Sequence, residues 1–444
     1  MQLTHLCFAD DLILCSKGES ESIKLLTKCF HAFSLSSGLQ ASKEKTEVYT
    51  CGMKEEQVQQ ILQETGFRRG SLPFRYLGIP ISSKRISIGH CETLIEKMTA
   101  RIRIWSSKNM SYAARVQLIN AVLISIHQYW AQVFILPKAV LAKIEGICRS
   151  FLWSGKWFSQ APGNISWDKV CNSKTTGGLG IKNIHIWNTA SSGRYVWALA
   201  TKQDNLWVKW VHAIYLKDSS WADHYPNPDV SWYWKKIWEC KQNLNDKGLT
   251  VADLQNWNKF SVKKVYLALK EENPKVFWHR NVWGRLSMPK HQFCAWLAIQ
   301  ERLNTKERLE RMGVIRDTDC VLCQGAKETW NHLFFQCPYS KQIIQDINQW
   351  LGASPTVRSI PHLYRWINRR TKVSKFQKEI WCVAINATIY HIWQQRNNMI
   401  WNDQKQDWRQ VIKQIKAQVI MRINDCNDKK KNGSEKDWLN KLYK

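Results

Sequence analysis

Acid is what this 444-residue chain lacks: 36 Asp and Glu face 65 Lys and Arg, a formal charge of +29 and a pI of about 9.6. Such a deficit disfavours polycationic ligands and favours polyanions, bound in a salt-sensitive way; a basic protein with no specific partner is the other reading. The charge is spread along the chain and no lipidation signal accompanies it, so nucleic acid is expected ahead of an anionic membrane. Long apolar runs are missing too. The best candidate span, 118–136, is broken by Asn120, Ser125, His127, Gln128 and Gln132 and reads as a buried helix. No basic flank precedes an apolar segment near the acidic N-terminus, which argues against a signal peptide. The fourteen cysteines are scattered rather than arranged as a compact disulfide framework. A reducing, intracellular compartment is therefore expected, nucleus or cytoplasm being left open. There is no fixed-period repeat and no long low-complexity segment. The cluster Gly177-Gly178-Leu179-Gly180-Ile181 lacks the Gly-x-x-x-x-Gly-Lys-Ser/Thr form of a phosphate loop and reads as a structural turn.

What is present suits a globular protein of two to four domains, with 44% hydrophobic residues. Tryptophan is abundant at 25 residues. Many sit beside bases, as in Trp207-Val208-Lys209-Trp210 and Trp234-Lys235-Lys236-Ile237-Trp238. Such interleaving can stack unpaired bases, with core packing as the alternative and the default for most. The run His5-Leu6-Cys7-Phe8-Ala9-Asp10-Asp11-Leu12-Ile13-Leu14 sets two adjacent carboxylates between strand-forming stretches. It predicts a β-hairpin with Asp10 and Asp11 at a tight turn. That turn offers two anionic side chains to a hard divalent cation, the arrangement that two-metal phosphoryl transfer uses; a solvated turn is the alternative.

Residues 19–37 carry Ile23, Leu26, Phe30 and Phe33 at helical spacing, with Ser20 or Ser22 as N-cap and Gly38 as the stop. Residues 39–50 read as a strand pair, and Gly78 and Pro80 suit a second tight hairpin. From 90 to 153 the pattern is helical, with Arg101, Arg103, Lys108, Arg115, Lys138, Lys143 and Arg149 on its polar faces. A boundary is expected at 156–160, helix over 190–215, and loops at 219–228 and 243–248. Further on, Cys320-Val321-Leu322-Cys323 is followed by His332 and Cys337, a C-x2-C-x8-H-x4-C spacing. Three thiolates and one imidazole close a tetrahedral zinc shell, so the site would be structural; a redox CxxC or unrelated core cysteines are the other readings. Trp408, Val411, Ile415, Val419 and Ile423 then form an apolar stripe, with Arg409, Lys413, Lys416 and Arg422 off it. Lys429-Lys430-Lys431 is a nuclear-import candidate or a solvated tail.

Residues 5–18 resemble the catalytic palm motif of reverse transcriptases from plant LINE-type (non-LTR) retrotransposons. So do Gly38-Leu39-Gln40-Ala41-Ser42-Lys43-Glu44-Lys45-Thr46-Glu47, in which Ser42 replaces the usual asparagine, and Phe74-Arg75-Tyr76-Leu77-Gly78-Ile79-Pro80-Ile81. Ile165-Ser166-Trp167-Asp168, the glycine cluster at 177–181 and Trp393-Gln394-Gln395-Arg396-Asn397 match more weakly. Residues 276–339 resemble the zinc-binding domain that follows reverse transcriptase in the same elements.

The resemblance implies catalytic roles for Asp10 and Asp11, which hold Mg2+ only in a complete polymerase together with a third aspartate from an upstream strand. It places Lys45 near the leaving pyrophosphate as charge stabiliser or general acid. It assigns Cys320, Cys323, His332 and Cys337 to a structural Zn2+. An α+β protein is expected: a palm remnant (1–80), a helical thumb-like region (81–155), a connector (156–275), the zinc module (276–345) and a basic helical tail (346–444). The expectation is a truncated reverse-transcriptase-like protein that binds zinc and RNA or DNA with tolerance for sequence, binds no membrane, and does not polymerise alone. A non-enzymatic zinc-organised RNA- or DNA-binding module and an inert element fragment are the alternatives. Oligomeric state is left open.

Overall fold

The computed structural model describes residues 4–42, 44–82, 85–108, 110–160, 162–271, 273–355, 359–425 and 433–443. Lys429-Lys430-Lys431 lie outside them. The fold is α+β and dominated by helices; among the described residues the strands form three two-stranded sheets. Two units emerge: Met1–Thr93 with Trp130–Val140 and Asn188–Leu269, and Leu94–Tyr129 with Leu141–Trp187 and Lys270–Lys444.

The first unit opens with the expected hairpin, His5–Phe8 antiparallel to Asp11–Leu14. The following helix spans Ser20–Ser37 and stops at Gly38, whose φ of 75° suits a residue without Cβ. Its N-cap is Glu19 rather than Ser20 or Ser22. The first helical bond already runs from Ile23 N–H to the Glu19 carbonyl, so both serines lie inside the first turn. Residues 39–50 are not a strand pair. The N–H groups of Lys45 (3.1 Å) and Thr46 (2.9 Å) return to the Ser42 carbonyl. Glu47–Val48 instead pairs in parallel with Arg68–Arg69, across the helix Glu55–Thr65. Parallel pairing needs a crossover, so the partner lies beyond the reach of a local pattern. Phe74–Tyr76 and Ile79–Ile81 form the second hairpin. Positive φ at both Leu77 (51°) and Gly78 (78°) makes its loop type I′.

The rest of this unit is helical. Val196, Leu199, Val208, Trp234, Ile237 and Leu244 are among its buried residues. The helix Trp232–Asp246 runs through most of the stretch read as a loop at 243–248. Leu244, fully buried, anchors its last turn, while Asn243 and Asp246 face solvent. Residues 219–228 are a loop, held by a buried cation. Lys241 Nζ donates to the carbonyls of Trp221 (3.1 Å), Ala222 (3.1 Å) and His224 (3.0 Å).

In the second unit the helix Lys375–Asn402 is apolar on every side through its middle, the mark of a fully buried helix. Its Asn386 donates to Ser287 Oγ (3.0 Å) and the Asn281 carbonyl (3.0 Å) and accepts from Tyr364 OH (2.5 Å). The helix Trp408–Asp425 packs on it and on Pro338–Leu351, burying Val411, Ile415, Val419 and Ile423 of the expected stripe, with Trp408 half-buried. Arg101, Arg103, Lys108, Lys143 and Arg149 are exposed. Arg115 is not on a polar face: its guanidinium turns inward to the Leu152 carbonyl (3.2 Å) and lies over Tyr112. Residues 118–131 are helical and bury Ile119, Leu123 and His127. Among the described residues no helix is long and apolar enough to cross a membrane. The glycine cluster is a structural turn. Gly177 has φ of 92°, and a Cβ on Gly178 would lie 2.1 Å from the Asn172 carbonyl oxygen.

Candidate metal centre and acidic hairpin

The metal-ligating residues are assembled by local backbone geometry. Cys320 N–H bonds to the Ala326 carbonyl (2.8 Å), and Asp319 and Lys327 form an antiparallel bridge. Between them Gln324, with φ of 56°, returns its N–H to the Cys320 carbonyl (2.7 Å). This knuckle directs the thiols of Cys320 and Cys323 to one side. The second pair comes from a single wide turn, His332–Gln336, closed by Cys337 N–H on the His332 carbonyl (2.7 Å).

The four donor atoms of Cys320, Cys323, His332 and Cys337 lie within 4.8 Å of one another. The Cys320 and Cys337 sulfurs are 4.0 Å apart, and Cys323 Sγ is 3.3 Å from His332 Nε2. A tetrahedral Zn2+ with Zn–S bonds of about 2.3 Å needs sulfurs separated by about 3.8 Å. The donor set therefore fits zinc, and four protein ligands leave no position open for substrate. Within the shell the two bonded thiols shift in opposite directions: the hydrogen bond to Cys337 and burial push the Cys320 thiol up. The Cys337 thiol is pulled below its ordinary value by the bond from Cys320 and by the backbone N–H groups of Ser340 and Tyr339. Cys337 also caps the helix Pro338–Leu351, whose N-terminal dipole favours a thiolate. Burial lowers His332 and keeps its imidazole neutral, the form that ligates.

A buried ion pair supports the knuckle, and sequence reading did not anticipate it. Glu328 is wholly buried and Arg396 is 4% exposed. Arg396 donates from Nη2 (2.9 Å) and Nε (3.1 Å) to Glu328 Oε1, and from Nη2 to the Asn304 carbonyl (3.0 Å). The same carboxylate accepts the Lys306 N–H at 2.8 Å. Lys405 Nζ bonds the Leu322 carbonyl, inside the CxxC turn, at 2.9 Å. The helix of Arg396 thus braces the metal module from sixty-eight residues away. Arg396, the one Lys, Arg, Asp or Glu between Ile380 and Asn402, was the one available signal.

The acidic hairpin is built differently. Its loop is Ala9-Asp10, with a positive φ (52°) at Ala9. A lone positive φ at the first loop position is the II′ pattern, strained for a residue with Cβ. Asp10 is in the turn, and Asp11 begins the second strand opposite Phe8. Both are exposed. Lys45 is exposed, and among the described residues no ion pair joins it to either aspartate. The Cys3His set is the one group of three or more His, Cys, Asp or Glu side chains gathered as ligands among the described residues. Of the tryptophans, only Trp157, Trp210 and Trp401 are exposed; the rest are buried or half-buried.

Residues 1–81 match the family model for reverse transcriptase (RNA-dependent DNA polymerase). Residues 260–343 match that for zinc-binding in reverse transcriptase, a span that holds all four ligands. A protein of Arabidopsis thaliana carrying the name "Putative ribonuclease H protein" is 29% identical over 163 residues. That alignment covers 36% of this chain and 26% of the relative, so the chain spans well under two thirds of it. Two segments, far apart in sequence, are similar to parts of reverse transcriptases.

Proposed function

We propose that this chain is a retrotransposon-type reverse-transcriptase polypeptide of the plant LINE (non-LTR) class, acting in a reducing intracellular compartment. It binds RNA or DNA through its basic surface and keeps its C-terminal unit in shape with one structural zinc ion. The observation that carries this reading is the Cys3His cluster inside the matched zinc-binding segment, in a chain whose other matched segment holds the Asp10–Asp11 hairpin. The relative named for ribonuclease H fits a nucleic-acid partner as well. In a complete palm Asp10 and Asp11 would hold Mg2+ and Lys45 would face the leaving pyrophosphate.

By itself the chain does not extend a primer. None of the described residues 4–50 is buried, and a two-metal site needs more fixed carboxylates than an exposed pair supplies. Primer extension on an RNA template with Mg2+ or Mn2+ tests this. Product that disappears in Asp10→Asn and Asp11→Asn would refute it. Binding without extension favours the second reading, a zinc-organised nucleic-acid-binding module. That reading is supported by the +29 charge. With about five phosphates neutralised, log K against log salt should fall with a slope of roughly −3 to −4 on a single strand. The zinc assignment predicts one equivalent of zinc in the full chain. Less than half an equivalent in the unsubstituted protein would overturn it, as would full retention in the Cys320→Ser, Cys337→Ser double variant.

A further inference from the structure

Trp157 and Phe158 form an exposed aromatic pair that no feature above uses. Trp157 is 41% exposed and Phe158 61%, with ring centroids 5.8 Å apart. Arg103 lies over the Trp157 ring at 5.5 Å. The loop that carries the pair is pinned on two sides. Ser106 Oγ donates to the Gly155 carbonyl (2.9 Å), and Ser150 Oγ to the Lys156 carbonyl (2.9 Å). Phe158 and a large part of Trp157 face water on a tethered loop, an apolar surface that core packing does not explain.

Charge identifies the occupant. Between Glu96 and Asp168 the sequence holds one acid, Glu145, and that carboxylate faces Arg149 and His185. Lys97 and Arg101, one helical turn apart, are exposed on the helix Glu92–Ser106, on a different face from Arg103. Lys156 is exposed beside the aromatic pair. Among the described residues none of these four cations is in an ion pair. The other exposed tryptophans differ: Trp210 is packed edge-on against Tyr215, and Trp401 is 79% exposed with no ring neighbour among the described residues.

We infer that Trp157 and Phe158 are a stacking platform for unpaired bases of a nucleic-acid strand, with Arg103 and Lys156 neutralising its phosphates. Aromatic faces accept any base, and cations beside them hold the backbone without reading sequence. A duplex has its bases stacked on one another and offers no face to these rings, so the platform selects single strands. The inference rests on the nucleic-acid reading above and names the site where that binding engages bases.

The test uses the full chain and fluorescence anisotropy with labelled 20-mers: oligo-U, oligo-dT, a strand of abasic sites, and a duplex of equal length. The unsubstituted protein is expected to prefer base-bearing strands over the abasic one. In Trp157→Ala with Phe158→Ala, affinity for oligo-U or oligo-dT should fall about tenfold. The preference over the abasic strand should vanish, with the salt slope unchanged. Trp401→Ala should bind as the unsubstituted protein does. A 2-aminopurine placed in the strand should be quenched on binding, and the quench lost in the double variant. Circular dichroism and zinc content, unchanged, keep loss of fold out of the result. A double variant that binds and discriminates as before overturns the platform and leaves the nucleic-acid reading standing. So does equal loss in Trp401→Ala, or tighter binding to the duplex. If the unsubstituted protein binds none of these nucleic acids at low salt, the nucleic-acid reading itself falls. Tight binding of either oligo-U or oligo-dT supports the platform.

Discussion

Replacing Glu328 by Gln should loosen the metal module without touching a ligand. Arg396 is 4% exposed and would be left as a buried cation facing a neutral amide. Breaking one side of a buried ion pair typically costs about 3–5 kcal/mol, because the surviving charge has neither partner nor water. Gln keeps one acceptor for the Lys306 N–H, so the lower end, about 3 kcal/mol, applies here. At 1.36 kcal/mol per decade that is roughly a 150-fold change in the opening equilibrium. The chain has two units and a metal, so a single global unfolding curve is the wrong instrument. Hydrogen exchange of the amides in 318–337, followed by mass spectrometry, reads local opening directly. These amides should exchange roughly two orders of magnitude faster in Glu328→Gln, and a chelator should remove zinc sooner. Adding Arg396→Met removes the stranded charge and should recover most of the loss, a coupling that a double-mutant cycle measures. Exchange within threefold of the unsubstituted protein, or no recovery in the double variant, would refute the claim that this pair holds the module together.

Gly178→Ala should destabilise the second unit by more than about 3 kcal/mol, since the new methyl meets a backbone oxygen at 2.1 Å; a melting temperature unchanged by differential scanning calorimetry would contradict it. Lys241→Met should cost the first unit about 2–3 kcal/mol by stranding three carbonyls in a buried site, checked by urea titration of tryptophan emission. Acid should weaken the second unit. His127 and His291 are buried with no partner for their ring nitrogens among the described residues. Burial, with His185 beside the first and His391 and Lys290 beside the second, lowers them to about 4 and about 3. The unfolded chain then binds more protons than the folded one, so stability is fully present above about pH 6.5 and falls as the pH drops toward 4. Each histidine should remove on the order of 2 kcal/mol by pH 4.5, and His127→Gln should shift the acid midpoint measured by circular dichroism downward.

Much of the candidate site is legible in the chain because its determinants are neighbours in it. Cys320, Cys323, His332 and Cys337 are presented by two turns within one short segment, so spacing alone implies convergence. The acidic hairpin closes through a two-residue loop, Gly38 stops its helix through its own backbone, and the 411–423 stripe follows from helical period. What the sequence hid depends on partners far along the chain. Glu47–Val48 pairs with Arg68–Arg69 and not with a near neighbour. Arg115, amphipathic by period, turns inward because the Leu152 carbonyl waits there. Glu328 and Arg396 are unremarkable residues until packing removes water from both. Trp157 carries the same letter as Trp234, and only the packed structure leaves one exposed and the other buried. A local pattern records which residues can share a turn or a face. Which charge is desolvated and which ring stays wet is decided when distant elements close over them.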